Sequence, residues 1–388
     1  MNLLYLTVLD EKDNVKCGIL GKIKGQISSF ERFGLNVFFG RFSGSNMFLI
    51  DGCNTKKNIY VSMGNTRKRL RSIYNEVYSF VINNKINAVY IRFMPLDSKA
   101  IRFYSSLKKN GVKVIIEFYS HNLELEAKKT AIRDFIKKRY SKAFREFISL
   151  FINKYYFSRL HTCIDRIVTT TEVGDMYGVH TINVTNGIDV STTKARIRSY
   201  NEFDFNIISV AMISIWHGYD RIIRGISEYY NRGGMDNILY TVIGDGEEKT
   251  NLEKMVKELN LQDHVFFVGI KLKNELEKYY NEADIALEML AGFRRTSGKI
   301  SSIKMAEYFA KGIPVIYASD CDIYPYPMNK FCYRVKNDDS YIDIFKIIEY
   351  TRELNNNNKN IEETMHKIAE KQFDWTVTMR KLVEYLLN

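Results

Sequence analysis

Short apolar segments alternate with helical segments along the chain, in two successive series. The first series runs from residues 2–8 to residues 166–168, and the second runs from residues 205–210 to residues 315–317. Strands that alternate with helices form parallel βαβ units, and nearly continuous apolar strands suit a sheet that is covered on both faces. The pattern therefore predicts two doubly wound, Rossmann-like α/β domains that face a cleft, with a ligand at the carboxyl ends of the strands.

A polar segment, Ser191 to Asp204, separates the two series and predicts domains at residues 1–192 and 203–370. Two domains agree with the length of 388 residues, at about 100–200 residues per domain. The predicted strands are 2–8, 35–39, 58–61, 88–91, 112–116 and 166–168 in the first series, and 205–210, 238–243, 265–268, 283–287 and 315–317 in the second. The predicted helices include 19–33, 68–83, 98–110, 247–259, 273–282 and 301–311, and a polar loop at 355–358 precedes a final helix that ends at Leu387.

The composition limits the class of protein. Hydrophobic residues make up 45% of the chain, which is too apolar for a disordered protein. No apolar run approaches the roughly 18 residues that a membrane span needs, and the N-terminus lacks the basic region of a secretory signal. The five cysteines are scattered without a CxxC pair, which excludes a disulfide scaffold, argues against a zinc site and indicates a reduced, cytosolic protein.

The positive charge lies in one half of the chain. Residues 1–195 contain 31 Lys+Arg and 16 Asp+Glu, whereas residues 196–388 contain 26 and 29, for a total net charge of +12. Residues 127–160 alone hold ten basic and two acidic side chains, with apolar residues at helical spacing, and Arg67–Arg71 is a second basic segment. A basic amphipathic helix is typical of an anionic membrane surface, although a solvated face on a core-packed helix gives the same pattern. No nucleic-acid-binding module is recognisable, so we expect no nucleic-acid partner.

The glycines after the first strand form no known nucleotide-binding motif. The segment Gly18-Ile19-Leu20-Gly21 does not fit GxGxxG, and the chain has no GxxxxGK[ST]. Gly18 and Gly21 are either a flexible turn between strand and helix or a place where the backbone approaches a ligand at a helix N-terminus.

The second series contains an ordered set of motifs. These are Gly244-Asp245-Gly246-Glu247 after a strand, then Val265–Gly269, Ala283–Leu287 and the helix-to-strand segment Ser301–Ile316. Over residues 205–318 the order resembles the donor-binding half of the family 4 glycosyltransferases, which have the GT-B fold. Asn186–Asp189 resembles the loop that closes the first domain, and Phe373-Asp374-Trp375 resembles the start of a final helix, here 371–388, that crosses back to the N-terminal domain.

The resemblance implies transfer of a sugar from a nucleotide-sugar donor with retention of configuration, and no cofactor or metal ion. The backbone N–H groups of Ser301–Ile303, including Ser302 and Ile303, open a helix whose positive end suits a departing diphosphate. Lys304 adds a full charge in the first turn, where a cation is unfavourable for the helix itself. Glu307 lies at i+3 from Lys304, and the resemblance implies that its carboxylate binds the ribose hydroxyls of the donor nucleotide. The alternative is a plain Lys–Glu pair at the surface.

Two departures from the family are visible. Lys299 stands where a second glutamate is usual, and Met212 and His217 stand where an arginine and a lysine are usual. Arg294 and Arg295 in the loop after residues 283–290 are candidate phosphate ligands together with Lys299 and Arg221, unless the arginines are merely solvated. We include Gly18, Gly21, Gly244, Asp245 and Gly246 among the predicted donor-binding residues.

In the first domain, His121 follows the strand Val112–Phe118, where family members often place a histidine that touches the donor sugar. The alternative is a structural or simply exposed histidine. Glu117 and Glu124 on either side of it are interpreted as surface charges. We predict His121, Lys304 and Glu307 as the catalytic group and expect no acidic metal cluster, so that the acceptor hydroxyl attacks on the face from which the diphosphate leaves.

The resulting hypothesis is a hexosyltransferase of bacterial surface polysaccharide biosynthesis. Its partners are a nucleotide-sugar donor, a saccharide or lipid-linked saccharide acceptor, and an anionic membrane surface contacted by residues 127–160. It is expected in the cytoplasm, peripheral on the inner face of the membrane. A GT-B sugar-nucleotide epimerase and a non-catalytic nucleotide-sugar-binding protein remain alternatives.

Overall fold

The computed structural model describes residues 1–10, 17–52, 54–118, 128, 131–132, 134–136, 138–170, 174–199, 204–295, 301–319 and 328–388. Two of the predicted site residues, His121 and Lys299, lie outside this set. The chain forms two compact units. Unit 1 contains Met1–Thr185 together with Trp375–Asn388, and unit 2 contains Asn186–Asp374.

Unit 1 is built on a sheet that comprises nine strands in its described part, in the order β4-β3-β2-β1-β5-β6-β7-β9-β8. The strands are β1 Asn2–Asp10, β2 Asn36–Ser43, β3 Asn46–Asp51, β4 Asn54–Tyr60, β5 Ala88–Arg92, β6 Lys113–Phe118, β7 Arg166–Thr169, β8 Asp175–Met176 and β9 Val179–Asn183. The helices are α1 Cys17–Arg32, α2 Thr66–Asn83, α3 Ser98–Lys109 and α4 Tyr140–Phe157. The central strands pair in parallel and are almost fully buried, as expected for a sheet covered on both faces.

One edge of this sheet differs from the predicted pattern. Strand β2 pairs in parallel with β1, as predicted, but β3 and β4 follow it as antiparallel hairpins, so the prediction of parallel βαβ units was wrong for residues 46–60. The sequence analysis missed β3, because its four consecutive apolar residues, Met47–Ile50, show no polar alternation, although only Met47 and Leu49 among them are buried. Short, half-buried strands of this kind carry a weak periodic signal.

Unit 2 contains a parallel sheet with the order β12-β11-β10-β13-β14-β15 among its described residues. The strands are β10 Asp204–Val210, β11 Asn237–Ile243, β12 Val265–Gly269, β13 Ile285–Leu287, β14 Val315–Tyr317 and β15 Cys332–Arg334. The helices are α5 Tyr219–Asn231, α6 Lys249–Glu258, α7 Lys273–Glu282, α8 Ile303–Lys311, α9 Ile344–Asn357 and α10 Ile361–Gln372. This is the 3-2-1-4-5-6 order of a doubly wound domain, and its switch point falls between β10 and β13.

The C-terminal residues belong to unit 1. Helices α11 Trp375–Thr378 and α12 Arg380–Leu387 share a core with β1 and α1, in which Trp375 packs so closely on Gly25 that a Cβ there would lie 2.1 Å from the indole nitrogen. The predicted polar loop at 355–358 is instead mostly the last turn of α9, since Asn355–Asn357 are helical. The predicted fold class of two Rossmann-like α/β domains is confirmed. Within the described part of the chain, no helix combines the length and apolar character that a bilayer span requires.

Candidate functional site

The switch point of unit 2 carries a buried polar cluster. Glu288 follows β13 directly, and its Oε2 accepts a hydrogen bond of 2.8 Å from the hydroxyl of Ser302. Ser302 is the N-cap of α8, and its Oγ also accepts the backbone N–H of Met305 at 3.3 Å. This arrangement fixes the N-terminus of α8 against the carboxyl end of β13, which is where doubly wound domains bind ligands.

Lys304 points its ammonium group into this cluster. Its Nζ lies 3.5 Å from Glu288 Oε1, is itself buried, and finds no hydrogen-bond partner among the described residues. Sequence analysis predicted Lys304 but missed Glu288, although the signal was an acidic residue at the carboxyl end of a buried strand. A buried ammonium with unused donors is costly unless a ligand supplies the acceptors.

His217 stands beside Lys304 in place of the lysine expected from the family. It ends the 3-10 helix Ile215–His217 and is buried, and its Nδ1 accepts the backbone N–H of Ser214 at 3.2 Å. Burial, together with the positive charges of Lys304 and Arg295, lowers the pKa of His217 well below its usual value. The imidazole is therefore neutral at physiological pH, and because Nδ1 accepts, its proton lies on Nε2 as a hydrogen-bond donor.

The two adjacent arginines have different environments. Arg295 lies with its guanidinium 5.9 Å from the ring centre of Trp216 and close enough to His217 to act on its pKa. Arg294 instead donates to both carboxylate oxygens of Asp220, at 2.7 and 2.9 Å, and these hydrogen bonds raise its pKa. Arg294 therefore holds the loop after β13 to α5, and its predicted contact with phosphate stays a prediction.

Arg221, the further candidate for phosphate binding, is also used within the protein. It is almost fully buried, donates from Nε to the carbonyl oxygen of Ser340 at 2.7 Å and pairs with Asp338 at 3.5 Å. Of the described arginines that sequence analysis proposed near the phosphates, Arg295 is thus the one that the structure brings to Lys304 and His217.

The segment Gly244-Asp245-Gly246 follows β11 and packs against the loop after β10. A Cβ on Gly244 would lie 1.9 Å from the carbonyl oxygen of Ala211, and one on Gly246 would lie 2.1 Å from that of Ile213. Asp245 accepts the N–H of Ile213 through its backbone oxygen at 2.8 Å. These glycines are explained by the close approach of two loops at the carboxyl ends of β10 and β11, and their predicted contact with the donor is untested.

Glu307 lies one turn after Lys304 on α8. In the structure Lys304 pairs with Glu288 and not with Glu307, which was the alternative in the sequence analysis. The carboxylate of Glu307 is instead close enough to Tyr280 on α7 to contribute, after burial, to the raised pKa of that phenol. Its role with ribose stays a prediction.

The loop at residues 186–189 is anchored to the same helix end. Asn186 donates from its backbone N to Ser301 Oγ at 2.6 Å and from its side-chain amide to the Ser301 carbonyl oxygen at 2.8 Å. Further along, the backbone N of Ile188 donates to Phe373 at 2.8 Å. The start of unit 2 is therefore tied both to the N-terminus of α8 and to the end of α10.

In unit 1, Gly18 and Gly21 lie in the first turns of α1, not in a turn before it, and a Cβ on either would meet no atom of the described residues within 4 Å. The packing of unit 1 therefore does not require glycine at these positions. The interpretation of Glu117 as a surface charge was wrong. Glu117 is 1% exposed, and its Oε1 lies 2.6 Å from Lys22 Nζ, while Tyr90 donates to Oε2 at 3.0 Å.

The unit 2 cluster is suited to bind a phosphorylated anion. Among the described residues, Lys304 and Arg295 bring two positive charges near the carboxylate of Glu288, and the positive N-terminal end of α8 begins at the same place, with Ser302 as its N-cap. The neutral His217 adds an N–H donor. Preorganised donors of this kind stabilise negative charge without reorganisation of solvent.

Comparison with known proteins agrees with this geometry. Residues 192–330 match the family model described as "Glycosyl transferases group 1". The chain is 31% identical over 138 residues to the amylovoran biosynthesis glycosyltransferase AmsK of Erwinia amylovora, which is 35% of this chain and 33% of that protein. It is 27% identical over 199 residues to the O-antigen biosynthesis glycosyltransferase WclY of Escherichia coli, which is 48% of this chain and 50% of that protein. The matches thus span a third to a half of the length of these curated relatives.

Solved structures match the whole chain. A glycosyltransferase from Rickettsia africae superimposes with a TM-score of 0.65 at 12% identity and covers 99% of this chain and 97% of its own. Anabaena Alr3699/HepE, solved in complex with UDP, superimposes with a TM-score of 0.59 at 12% identity and covers 100% of both chains. The protein has the GT-B fold of these glycosyltransferases. The group 1 match lies on the half of the chain that carries Lys304.

Proposed function

We propose that the protein is a retaining glycosyltransferase that moves a hexosyl group from a nucleotide-sugar to a saccharide acceptor. The observation that carries the proposal is the buried ammonium of Lys304, which lies at the ligand-binding end of the unit 2 sheet and has no hydrogen-bond partner among the described residues. A departing nucleoside diphosphate has the charge and the acceptor atoms that this group lacks. The complex of the HepE structure with UDP makes UDP the first nucleotide to test.

In the proposed reaction, the bond between the anomeric carbon and the diphosphate oxygen breaks as the acceptor hydroxyl attacks from the same face. Lys304, Arg295 and the N-terminus of α8 stabilise the charge that develops on the leaving oxygen, and the Nε2–H of His217 donates to a phosphate oxygen. The acceptor proton passes to the departing phosphate, so no protein base is needed. Because these groups supply the positive charge, we expect turnover without a bound metal ion.

The proposed pathway is the assembly of a bacterial surface polysaccharide on the inner face of the membrane. The names of the two relatives, amylovoran and O-antigen biosynthesis, support it. Acceptors of such pathways are often carried on lipids, which would bring the enzyme to a membrane surface. We therefore propose a lipid-linked saccharide acceptor and a cytoplasmic, membrane-peripheral enzyme.

The surface of α4 supports a membrane-facing role for unit 1. Only Ala143 and Phe157 of its 18 residues are buried. Five of its large side chains with apolar surface are exposed at a spacing of three or four residues, and we call them the α4 stripe: Tyr140, Phe144, Ile148, Phe151 and Tyr155, exposed by 55, 67, 44, 70 and 55%. A core-packed helix buries such a stripe, whereas an interfacial helix places it among lipid chains with basic residues around it.

The function is tested in two stages. Thermal shift with a panel of nucleoside diphosphates and nucleotide-sugars identifies the donor, since a ligand present at 100 times its Kd stabilises the folded state by about 2.7 kcal/mol. NMR of the product with that donor and a polyprenyl-linked saccharide, with and without EDTA, then shows the anomeric configuration. We expect retention and no loss with EDTA. Formation of free, epimerised donor in the absence of an acceptor would contradict the proposal. So would binding of the donor without turnover on any acceptor tested.

The membrane-facing role is tested separately. Replacing Phe144 and Ile148 with Gln removes the centre of the α4 stripe without touching a buried residue. Sedimentation with vesicles that contain phosphatidylglycerol should show binding of the wild type and loss of binding by the double variant. The control replaces Tyr60 and Met63 with Gln, both 70% exposed elsewhere in unit 1. Equal binding of all three proteins would contradict this part.

A further inference from the structure

A cavity of about 390 Å³ lies in unit 1 beside α4. Its lining includes Arg67 and Arg71 from α2, Asp97 just before α3, and Phe151 and Tyr155 from α4. The last two also belong to the α4 stripe. The cavity is therefore continuous with the exposed apolar face, and it combines cationic donors with aromatic walls.

Arg67 is held in a fixed position. Its Nε donates to the carbonyl oxygen of Leu96 at 3.2 Å, and its Nη2 donates to Asn153 Oδ1 at 2.9 Å and to the carbonyl oxygen of Ser149 at 3.3 Å. These bonds join α2 to α4, and among the described residues none reaches Nη1. The guanidinium is thus preorganised, with one amino group left to donate.

Arg71 has more unused capacity. Its Nε donates to Asp97 Oδ2 at 2.7 Å, while Asp97 Oδ1 accepts the backbone N–H of Ala100 and caps α3. Both carboxylate oxygens are therefore engaged, and within the described part of the chain the terminal amino groups of Arg71 have no hydrogen-bond partner. The side chain of Arg71 is 45% exposed. Two guanidiniums against one carboxylate leave the cavity with net positive charge.

We propose that this cavity binds the phosphate of an anionic phospholipid of the bilayer, whose acyl chains lie along the α4 stripe. The planar forks of two arginines match the tetrahedral oxygens of a phosphate, and the aromatic wall suits the glycerol backbone. The inference rests on the proposed membrane-facing role of unit 1 and deepens it. A basic surface attracts any anionic bilayer, whereas this cavity would hold one phosphate by directed hydrogen bonds.

The decisive variant keeps the charge and changes the geometry. Arg71→Lys retains the positive charge but lacks the guanidinium fork, so a site with directed bonds should bind phosphatidylglycerol vesicles about fivefold to tenfold more weakly. Arg145→Lys is the matched control, because Arg145 is exposed on α4 and lies outside the cavity lining given above, and among the described residues it donates only to its own helix, at Ser141. Sedimentation is measured with phosphatidylcholine vesicles that do or do not contain phosphatidylglycerol.

Salt and soluble phosphate complete the experiment. At about 0.5 M NaCl the Debye length falls to about 4 Å, which removes most of the general attraction but little of a directed contact. The wild type should then still prefer phosphatidylglycerol, and Arg71→Lys should not. Millimolar glycerol phosphate should not displace the wild type, because it lacks the acyl chains; displacement would assign the cavity to a soluble phosphate ester and overturn the proposal.

The remaining outcomes are separable from the proposed function. Equal binding of Arg71→Lys and Arg145→Lys at both salt concentrations would overturn the cavity while leaving membrane binding intact. Failure of the wild type to bind any vesicle would overturn both the cavity and the membrane-facing role. Neither result bears on donor binding. Thermal shift with UDP serves as the control that every variant is folded and retains the unit 2 site.

Discussion

Each unit carries a buried charge cluster near the carboxyl end of a parallel strand, and the two clusters differ in which polar groups lack a partner. In unit 1, Glu117 lies near the carboxyl end of β6 and has Lys22 on one oxygen and Tyr90 on the other. In unit 2, Glu288 follows β13, and Lys304 beside it keeps a buried ammonium without a hydrogen bond in the described residues. The carboxylate of Glu117, with both oxygens hydrogen-bonded or paired, stabilises unit 1. The ammonium of Lys304, without a partner among the described residues, is suited to bind a ligand.

The charges of the two clusters support the same distinction. Burial on its own raises the pKa of Glu117, but the charges of Lys22 and Arg92 outweigh it and hold the pKa at about 2. Glu117 is therefore ionised at physiological pH and lies beside Lys22 and Arg92. In unit 2 the charge of Lys304 acts on its neighbours instead, and helps to keep His217 neutral.

The largest expected effect tests the structural half of this comparison. Glu117→Gln leaves Lys22 and Arg92 buried without a counter-ion, which should lower the free energy of unfolding of unit 1 by about 3 to 5 kcal/mol. The matched control is Glu76→Gln, because Glu76 is 54% exposed and pairs with Lys57 at the surface, and should cost less than about 1 kcal/mol. Urea denaturation measures both. Similar values for the two variants would refute the distinction.

The same carboxylate gives a pH dependence. The folded-state pKa of about 2 lies below the unfolded value of about 4.3, so the stabilisation is complete above pH 4.3 and is lost as the pH falls towards 2. Wild-type unit 1 should therefore lose stability in this window, and Glu117→Gln should lose less. Both proteins are titrated with acid and followed by circular dichroism. The same loss of structure with falling pH in both proteins would count against the assignment.

The second expected effect tests the functional half. Lys304→Met keeps the apolar stem and removes the charge, and should reduce kcat by about 100-fold or more, as for other losses of a preorganised group that stabilises developing charge. Lys257→Met is the control, since it makes the same change on the exposed face of α6. Steady-state kinetics with the donor identified by thermal shift measure both, and an active, folded Lys304→Met would remove Lys304 from the site.

A smaller effect is expected for Glu307, and its form sharpens the account of donor binding. Hydrogen bonds to ribose exist in both the ground state and the transition state, so Glu307→Ala should raise the donor KM by about 10-fold while kcat changes little. Glu258→Ala, at a side chain that is 61% exposed, provides the control. A fall in kcat at constant KM would show that Glu307 does not hold the nucleotide.

The smallest effect concerns His217. Because its folded pKa lies well below its usual value, the folded protein does not take up this proton near pH 6.5, whereas the unfolded chain does. Stability should therefore decline as the pH falls below about 6.5, and His217→Gln should remove that part of the decline. Thermal melts between neutral pH and about pH 5 test it, and an identical decline in both proteins would mean that His217 is protonated.

The sequence was informative where one physical signal dominated. Buried parallel strands with apolar runs, such as β6 and β11, could be predicted because every residue obeys the same rule. Lys304 was recognisable as a cation in a first helical turn. Strand β3, which lies between β2 and the edge strand β4, and the short strands β8 and β9 were missed, since a few half-buried residues leave little periodicity.

The sequence alone could not predict which distant residues pair with each other. Nothing local says that Lys304 meets Glu288 instead of Glu307, because that depends on how β13 and α8 pack. The burial of Glu117 was missed for a similar reason, because its partners Lys22 and Arg92 lie on other elements. From the sequence alone, a single acidic residue in a strand is usually interpreted as a surface charge. Arg294 and Arg295 are neighbours in sequence, yet only the fold separates an arginine paired with Asp220 from one that lies over Trp216.

One measurement tests the central claim most directly: isothermal titration of UDP into the wild type and into Lys304→Met. If Lys304 supplies the charge that the diphosphate needs, the Kd should rise by about 10-fold or more in the variant, which corresponds to about 1.4 kcal/mol or more, and uridine should bind both proteins alike. If the two proteins bind UDP with the same affinity, Lys304 does not hold the diphosphate and the site lies elsewhere.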